Sequence, residues 1–455
     1  MPMRWQILRS FLKKRFDTIN NERLKRNLLN ALPFWIGALL CGFIAVIYAQ
    51  LFALAESGSV WLIAKVHYWL LLIMPACFLL AWWLVNTYAP FARGSGIPQV
   101  SAAIELATPK HHHMINALLS LRIAFIKLIS SLVMAFGGGV IGREGPTIQI
   151  SASVFKKIHD WLPDWYPKIS RQNMIVTGAA AGLASAFNTP LGGIVFAIEE
   201  LTKTHFRFFK SALLTGVIIA GLTALYFLGP YLYLGYPLLN TVSGSVFLLI
   251  LLLAVAASLL ASGMTSIILH LFRFKKRLKK RYQQLLYVAL CGFLLALMAL
   301  LLGEQMLGSG KGIMIQTLFT DQKEVPWYLP ICRIFGSLVS FTSGAAGGVF
   351  APSLSAGASI GAVISGWVHA GATETNLLVL CGMTAFLTSV TRSPFTSAIL
   401  ILEMTNSHTV IFYILMAALV ANLVTKLFSR HAFYDTLKEQ YIHEVRAEQS
   451  GTGHS

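Results

Sequence analysis

Apolar runs of roughly 18–25 residues follow one another along the chain, long enough for a helix to cross a ~30 Å hydrocarbon layer. ALPFWIGALLCGFIAVIYAQLFAL (31–54) and VHYWLLLIMPACFLLAWWLV (66–85) are two examples. Each predicts a membrane-crossing α-helix. Between and within these runs stand short pieces rich in glycine and proline, such as GSGIPQV (94–100) and GREGP (142–146), which interrupt the apolar pattern at places where a plain spanning helix needs no interruption. The pattern is that of an all-α polytopic membrane protein whose helices are in part broken.

Composition agrees. Of 455 residues, 56% are hydrophobic and only 12% charged, against about 25% charged in an ordinary soluble domain. So few charges do not cover the surface of a soluble protein of this length. The net charge of +18 invites a nucleic-acid partner, but its placement excludes one. Residues 1–31 carry eight Lys/Arg and two Asp/Glu, and RFKKRLKKR (273–281) carries seven basic residues and no acidic one. Both are short and flank apolar runs, which is the positive-inside arrangement. The N-terminus, the 273–281 loop and the basic tail after Phe428 are therefore placed in the cytoplasm, with anionic lipid headgroups as the partner of the basic charge. The first apolar run is too long for a signal peptide and lacks a small-residue cleavage pattern, so it is expected to stay as a membrane helix. The five cysteines lie in apolar stretches without pairing or metal spacing and read as small buried hydrophobes.

Three landmarks recur in the same order. GSGIPQV (94–100) is matched by GSGKGIM (308–314), GREGP (142–146) by GVFAP (348–352), and AAAGLASAFNTPLGGIVFAIEELT (179–202) by MTAFLTSVTRSPFTSAILILEMT (383–405). Such matching predicts a duplicated membrane unit. The expected division is a basic cytoplasmic segment at 1–31, a first membrane repeat at 32–240, a second at 241–430 and a short cytoplasmic C-terminal tail at 431–455. Broken backbone at membrane depth is tolerated only where it is buried in protein or lines a cavity. Helix starts there present unpaired N–H groups and the positive end of the helix dipole, which suits an anion. GSGIP, GREGP and GVFAP each combine glycine with a proline as a helix start does. Their convergence predicts a central anion site.

GSGIP, GREGP and GVFAP, in this order and within a duplicated membrane protein, resemble the three signature motifs of the CLC chloride channel and transporter family. The resemblance runs from about residue 30 to 440. It implies two inverted halves, a homodimer with one ion pathway per subunit, and chloride as the main substrate. It also implies the site. Ser95 resembles the family's anion-coordinating serine; a proline at this position goes with nitrate preference. The backbone N–H groups of Val349 and Phe350 resemble a second set of chloride donors, and Tyr434 the phenol that closes the inner side of the central site. The amides around Arg143, Glu144 and Gly145 are expected to form an outer site.

Glu144 resembles the family's gating glutamate. A carboxylate at the mouth of an anion site competes with the anion for the same donors, and once protonated it can swing away and carry a proton. Charges inside membrane spans cost roughly 2.5–3.5 kcal/mol each on insertion scales, so they are seldom idle. Arg143 is read as a source of positive potential or as a structural partner. In the internal alignment Glu199 falls opposite Glu403, a helix-end feature shared by both halves, whereas Glu200 falls opposite Met404. Glu200 matches the position that takes protons from the cytoplasm in the family's exchangers. Glu144 and Glu200 together point to chloride/proton antiport, a secondary active transporter. The alternative is a passive voltage- or pH-gated chloride channel, which has no use for Glu200.

The resemblance also sets expectations of absence. About twenty residues follow Tyr434, too few for the paired nucleotide-binding domains of many family members, so a short prokaryotic-type transporter of the cell (inner) membrane without cofactor is expected. KHHH (110–113) reads as an interfacial loop with no metal-ligand company, and isolated His270 and His408 have no assigned role. GASIGA (357–362) fails the G-x-S-x-G pattern and has no base partner, so no enzyme is expected.

Overall fold

Asn21 begins the first helix by accepting the N–H groups of Arg23 and Leu24 on its side chain, at 3.1 Å each. This is the usual N-cap solution for orphan donors. The computed structural model describes residues 21–202, 210–229, 233–239 and 244–451. From the cap, α1 (Glu22–Val66) runs 45 residues through Pro33, so the basic segment's residues 22–31 are already helical; residues 1–20 lie outside the described residues. Then follow α2 (Leu70–Tyr88), α3 (Ile97–Glu105), the single turn α4 (Ile115–Leu118), α5 (Leu121–Phe136), α6 (Glu144–Trp161), α7 (Arg171–Phe187), α8 (Pro190–Phe196) and α9 (Lys210–Leu228). The rest of the chain forms α10 (Gly244–Arg277), α11 (Arg281–Leu302), α12 (Lys311–Phe319), α13 (Leu329–Thr342), α14 (Phe350–Trp367), α15 (Ala372–Thr391), α16 (Pro394–Thr405), α17 (Ile411–Phe428) and α18 (Phe433–Gln449). The expected boundary at 240/241 lies outside the described residues. The fold is all-α: among the described residues extended pairing is limited to two isolated bridges. Seven stretches among them are long and apolar enough to cross a membrane.

Matched pieces recur with matched punctuation. α3 and α12 have nine residues each and follow a left-handed glycine, Gly96 and Gly310. α6 and α14 have eighteen each and begin on GREGP and GVFAP. α7 and α15 end on left-handed Asn188 and Arg392, and α8 and α16 restart on Pro190 and Pro394. Proline at the first helical position lacks only an N–H that would be orphaned anyway.

α7 and α15 form the interior. From Met174 to Phe187 and from Thr375 to Thr391 every residue is buried. Small residues permit this: a Cβ at Gly178 would strike the Phe155 ring and one at Gly182 the Ser151 side chain. Outward, α10 and α17 expose Leu248, Leu252, Phe412, Leu423 and Leu427. Apolar surface of this extent needs a covering, and a bilayer supplies it. After Arg430 comes the packed helix α18, its Phe433, Tyr434, Leu437, Tyr441, Ile442 and Val445 buried.

Candidate functional site

The three motif loops meet through backbone hydrogen bonds. The Gly142 and Gly348 N–H groups donate to each other's carbonyls at 2.8 Å, joining GREGP to GVFAP. Gly94 N–H donates to Ala345 O at 2.8 Å, and Gly347 N–H to Gly94 O at 3.1 Å, joining GSGIP to the approach to GVFAP. Glycine is required for this closeness. Gly96 has φ +107°, and a Cβ there would lie 2.8 Å from Gly145 O; a Cβ on Gly145 would lie 2.7 Å from Ser95 O and collide with the Ser95 hydroxyl. The starts of α3, α6 and α14 thus face one small volume, and their first-turn N–H groups, those of Val349, Phe350, Glu144 and Gly145 among them, have no acceptor earlier in their own helices.

Two hydroxyls complete this volume. Ser95 and Tyr434 are buried beside one another, and neither oxygen finishes a hydrogen bond with the described protein groups. A buried polar group left unpaired costs about 1–3 kcal/mol. Two of them at three helix starts form a donor set whose chemistry suits a small anion. Tyr434 is the second residue of α18, which carries it into place.

Glu144 is 1% exposed. Its carboxylate lies against the backbone amides of Glu144 itself and Ala351, at the starts of α6 and α14, and its Oε2 makes no hydrogen bond. The side chain therefore sits on the donors an anion would use. Arg143 turns its guanidinium toward Ala186 O at 3.4 Å, near the end of α7, so it braces the loop while its charge stays beside Glu144. Two cavities approach. One of about 260 Å³ reaches Ser95 past Arg93, Lys275, Lys276 and Tyr441; the other, about 240 Å³, reaches Glu144 past Phe52, Glu56, Arg143 and Lys311. Ser95, on the lining of the first cavity, packs against Gly145, the neighbour of Glu144 on the lining of the second.

Glu200 lies elsewhere, on a π-helical turn (Ala197–Leu201) that extends α8. It is 8% exposed, and its Oε2 accepts a hydrogen bond of 2.8 Å from the Ser393 hydroxyl. Tyr434 is within electrostatic range of both Glu200 and Glu144. Glu199 and Glu403 behave as the shared helix-end feature expected: Glu199 accepts the Phe395 and Thr396 N–H groups at 3.2 and 2.7 Å, and Glu403 accepts those of Leu191 and Gly192 at 3.1 and 2.8 Å. Each half caps the other. Such reciprocity is what a two-fold relation produces.

Two buried cations escaped the reading of the sequence. Lys127 and Arg333 each stand fifteen residues before the first glycine of their motif, Gly142 and Gly348, and both are fully buried. Arg333 donates to the carbonyls of Leu307 (2.8 Å) and Gly308 (2.9 Å); Lys127 donates to Gln149 (2.5 Å), whose amide holds Phe91 O and Leu118 O. They brace the loops leading into GSGKG and GSGIP. A lone charge inside LRIAFIKLISS or LPICRIFGS was the available signal. KHHH forms a local turn, His112 bonding Pro109 O.

Comparison with known proteins bears on the whole chain. A family model described as voltage-gated chloride channel matches residues 77–426. An H(+)/Cl(-) exchange transporter ClcA of Salmonella agona (strain SL483) is 28% identical over 432 residues, covering 90% of this chain and 88% of that protein. The ClcA of Klebsiella pneumoniae is 27% identical over 429 residues with the same coverage. A slow cyanobacterial Cl-/H+ antiporter superposes with a TM-score of 0.79 at 23% identity, over 91% of this chain and 98% of that one. A CLC-type fluoride/proton antiporter superposes with a TM-score of 0.74 at 19% identity, over 92% and 99%.

Proposed function

This chain belongs to the voltage-gated chloride channel family, and from that premise we propose that it is a secondary active transporter exchanging chloride for protons. The observation that carries the reading is the seat of Glu144: its carboxylate rests on amides at the starts of α6 and α14, beside the unpaired hydroxyls of Ser95 and Tyr434. Chloride and the ionised carboxylate compete for one set of donors. Ser95, Tyr434 and the amides of Val349 and Phe350 hold chloride centrally, and the amides around Arg143, Glu144 and Gly145 hold it further out. Protonation removes the charge of Glu144, so it leaves the donors, chloride takes its place, and the proton moves with the side chain. Glu200 supplies or takes that proton on the side of the basic loop. The names of the ClcA relatives, exchangers of H(+) and Cl(-), support the same substrates.

The function places the protein in the cell (inner) membrane with both termini cytoplasmic, each protomer of a homodimer having its own pathway, and calls for no cofactor and no enzymatic step. Of the two membrane repeats, 32–240 supplies the starts of α3 and α6 to the centre and 241–430 the start of α14.

Proton movement from chloride-loaded liposomes tests this. A chloride gradient is expected to drive protons uphill with the intact protein. Glu144→Gln and Glu200→Gln are each expected to abolish proton movement while chloride still crosses. Chloride dissipation without proton movement by the intact protein would instead make it a passive channel.

A further inference from the structure

Ser393 stands at the N-cap of α16, yet its side chain caps nothing there. The amides it would ordinarily satisfy, those two and three residues on, are Phe395 and Thr396, and both are already taken by Glu199 from the other half. Glu199 thereby releases the Ser393 hydroxyl, which donates instead to Glu200 Oε2 at 2.8 Å.

The repeat provides an internal control. The counterpart of Ser393 is Thr189, the N-cap residue of α8, and there too the amides, of Leu191 and Gly192, are taken from the opposite half by Glu403. The counterpart of Glu200 is Met404, which accepts no such bond. Thr189 Oγ1 is buried with no hydrogen-bond partner. Both halves free a hydroxyl; only one half supplies a carboxylate to receive it.

We propose that Ser393 is the positioning residue of the inner proton carrier: its hydroxyl, released by the Glu199 cap, holds the Glu200 carboxylate in the orientation from which it exchanges protons. The inference rests on the antiport reading and adds a residue to it. Consecutive positions on a helix point about 100° apart, so Glu199 and Glu200 on one turn reach different targets, the start of α16 and its N-cap hydroxyl. Among the described residues, Tyr434 on α18 lies within electrostatic range of Glu200, and Arg392, next to Ser393, has its guanidinium held by the carbonyls of Thr425 and Ser429. Replacing Ser393 leaves both in place.

The test combines flux with infrared titration of the Glu200 carboxyl band in Ser393→Ala and Ser393→Thr, with Glu200→Gln identifying the band. A hydrogen bond to an ionised group is strong enough to move a titration midpoint by about one pH unit or more. Ser393→Ala is expected to move the Glu200 midpoint by about that much and to lower proton flux per chloride roughly tenfold, with chloride flux within about twofold. Ser393→Thr, which keeps the hydroxyl, is expected to restore both. An unmoved midpoint in Ser393→Ala, or loss of chloride and proton flux in equal proportion, overturns the proposal. If the intact protein moves no protons but the midpoint still shifts and is restored by threonine, the antiport reading falls while the Ser393–Glu200 positioning stands.

Discussion

Ser95 and Tyr434 are buried hydroxyls in the site proposed for chloride, so the worth of each is measurable as anion affinity. A hydrogen bond to a charged partner contributes about 1.5–3 kcal/mol, and Ser95→Ala or Tyr434→Phe is expected to weaken chloride binding at least tenfold by calorimetry. Gly145→Ala is expected to abolish binding, because its Cβ would collide with Ser95. Chloride affinity within twofold of the intact protein in these variants would remove both hydroxyls from the site. The helix starts at GSGIP and GREGP were legible in the sequence because glycine and proline mark them, and Glu144 because a charge inside an apolar run stands out; the roles given to Ser95 and Gly145 rest on the family resemblance. Ser393 was not. A serine ahead of proline reads as an ordinary cap, and its release depends on Glu199, 194 residues earlier in the chain. Lys127 and Arg333 were visible as charges, but their role as braces exists only once distant carbonyls are brought to them.

At the scale of elements, the two cross-caps are alike in geometry and unlike in consequence. Each carboxylate satisfies two orphan N–H groups of a helix in the opposite half, worth about 1–2 kcal/mol by analogy with other N-caps. Glu199→Ala and Glu403→Ala are therefore expected to lower the thermal unfolding midpoint by similar amounts. Only Glu199→Ala is expected to impair proton coupling as well, because Ser393 then turns back to cap α16. Equal coupling in the two variants would contradict this asymmetry. The alignment of Glu199 with Glu403 announced a shared helix-end role, but not that each carboxylate crosses to the other half. The 45-residue length of α1 was also hidden: AESGSV breaks the apolar pattern, yet the helix continues, with Gly58 set closely against the Phe136 ring.

For the molecule as a whole, α18 ties the far end of the chain to its middle. Arg93, two residues before Ser95, pairs with Glu444 and stacks 5.0 Å over the Tyr441 ring, and Lys438 pairs with Glu105 at 2.9 Å. The helix that carries Tyr434 is thus fastened to both flanks of α3. Burial works against ionisation of Glu444, yet Arg93, Gln440 and Lys276 hold its carboxyl below the ordinary value of 4.5. Its contribution to docking is complete above that pH and is lost as the pH falls through the depressed value. Hydrogen exchange in α18 is expected to quicken as the pH falls below the ordinary value of 4.5 and through the depressed one, and in Glu444→Gln to be already fast at neutral pH; equal protection in the two proteins would discount the tie. On the antiport reading, the approach of one cavity to Ser95 and another to Glu144 has an electrical consequence. Cavities open to the two solutions would carry the bulk potential inward, so on that reading the transmembrane voltage falls mainly across the residues between Ser95 and Glu144. Each elementary charge crossing them gains or loses about 2.3 kcal/mol per 100 mV, so turnover in liposomes is expected to change with an imposed membrane voltage.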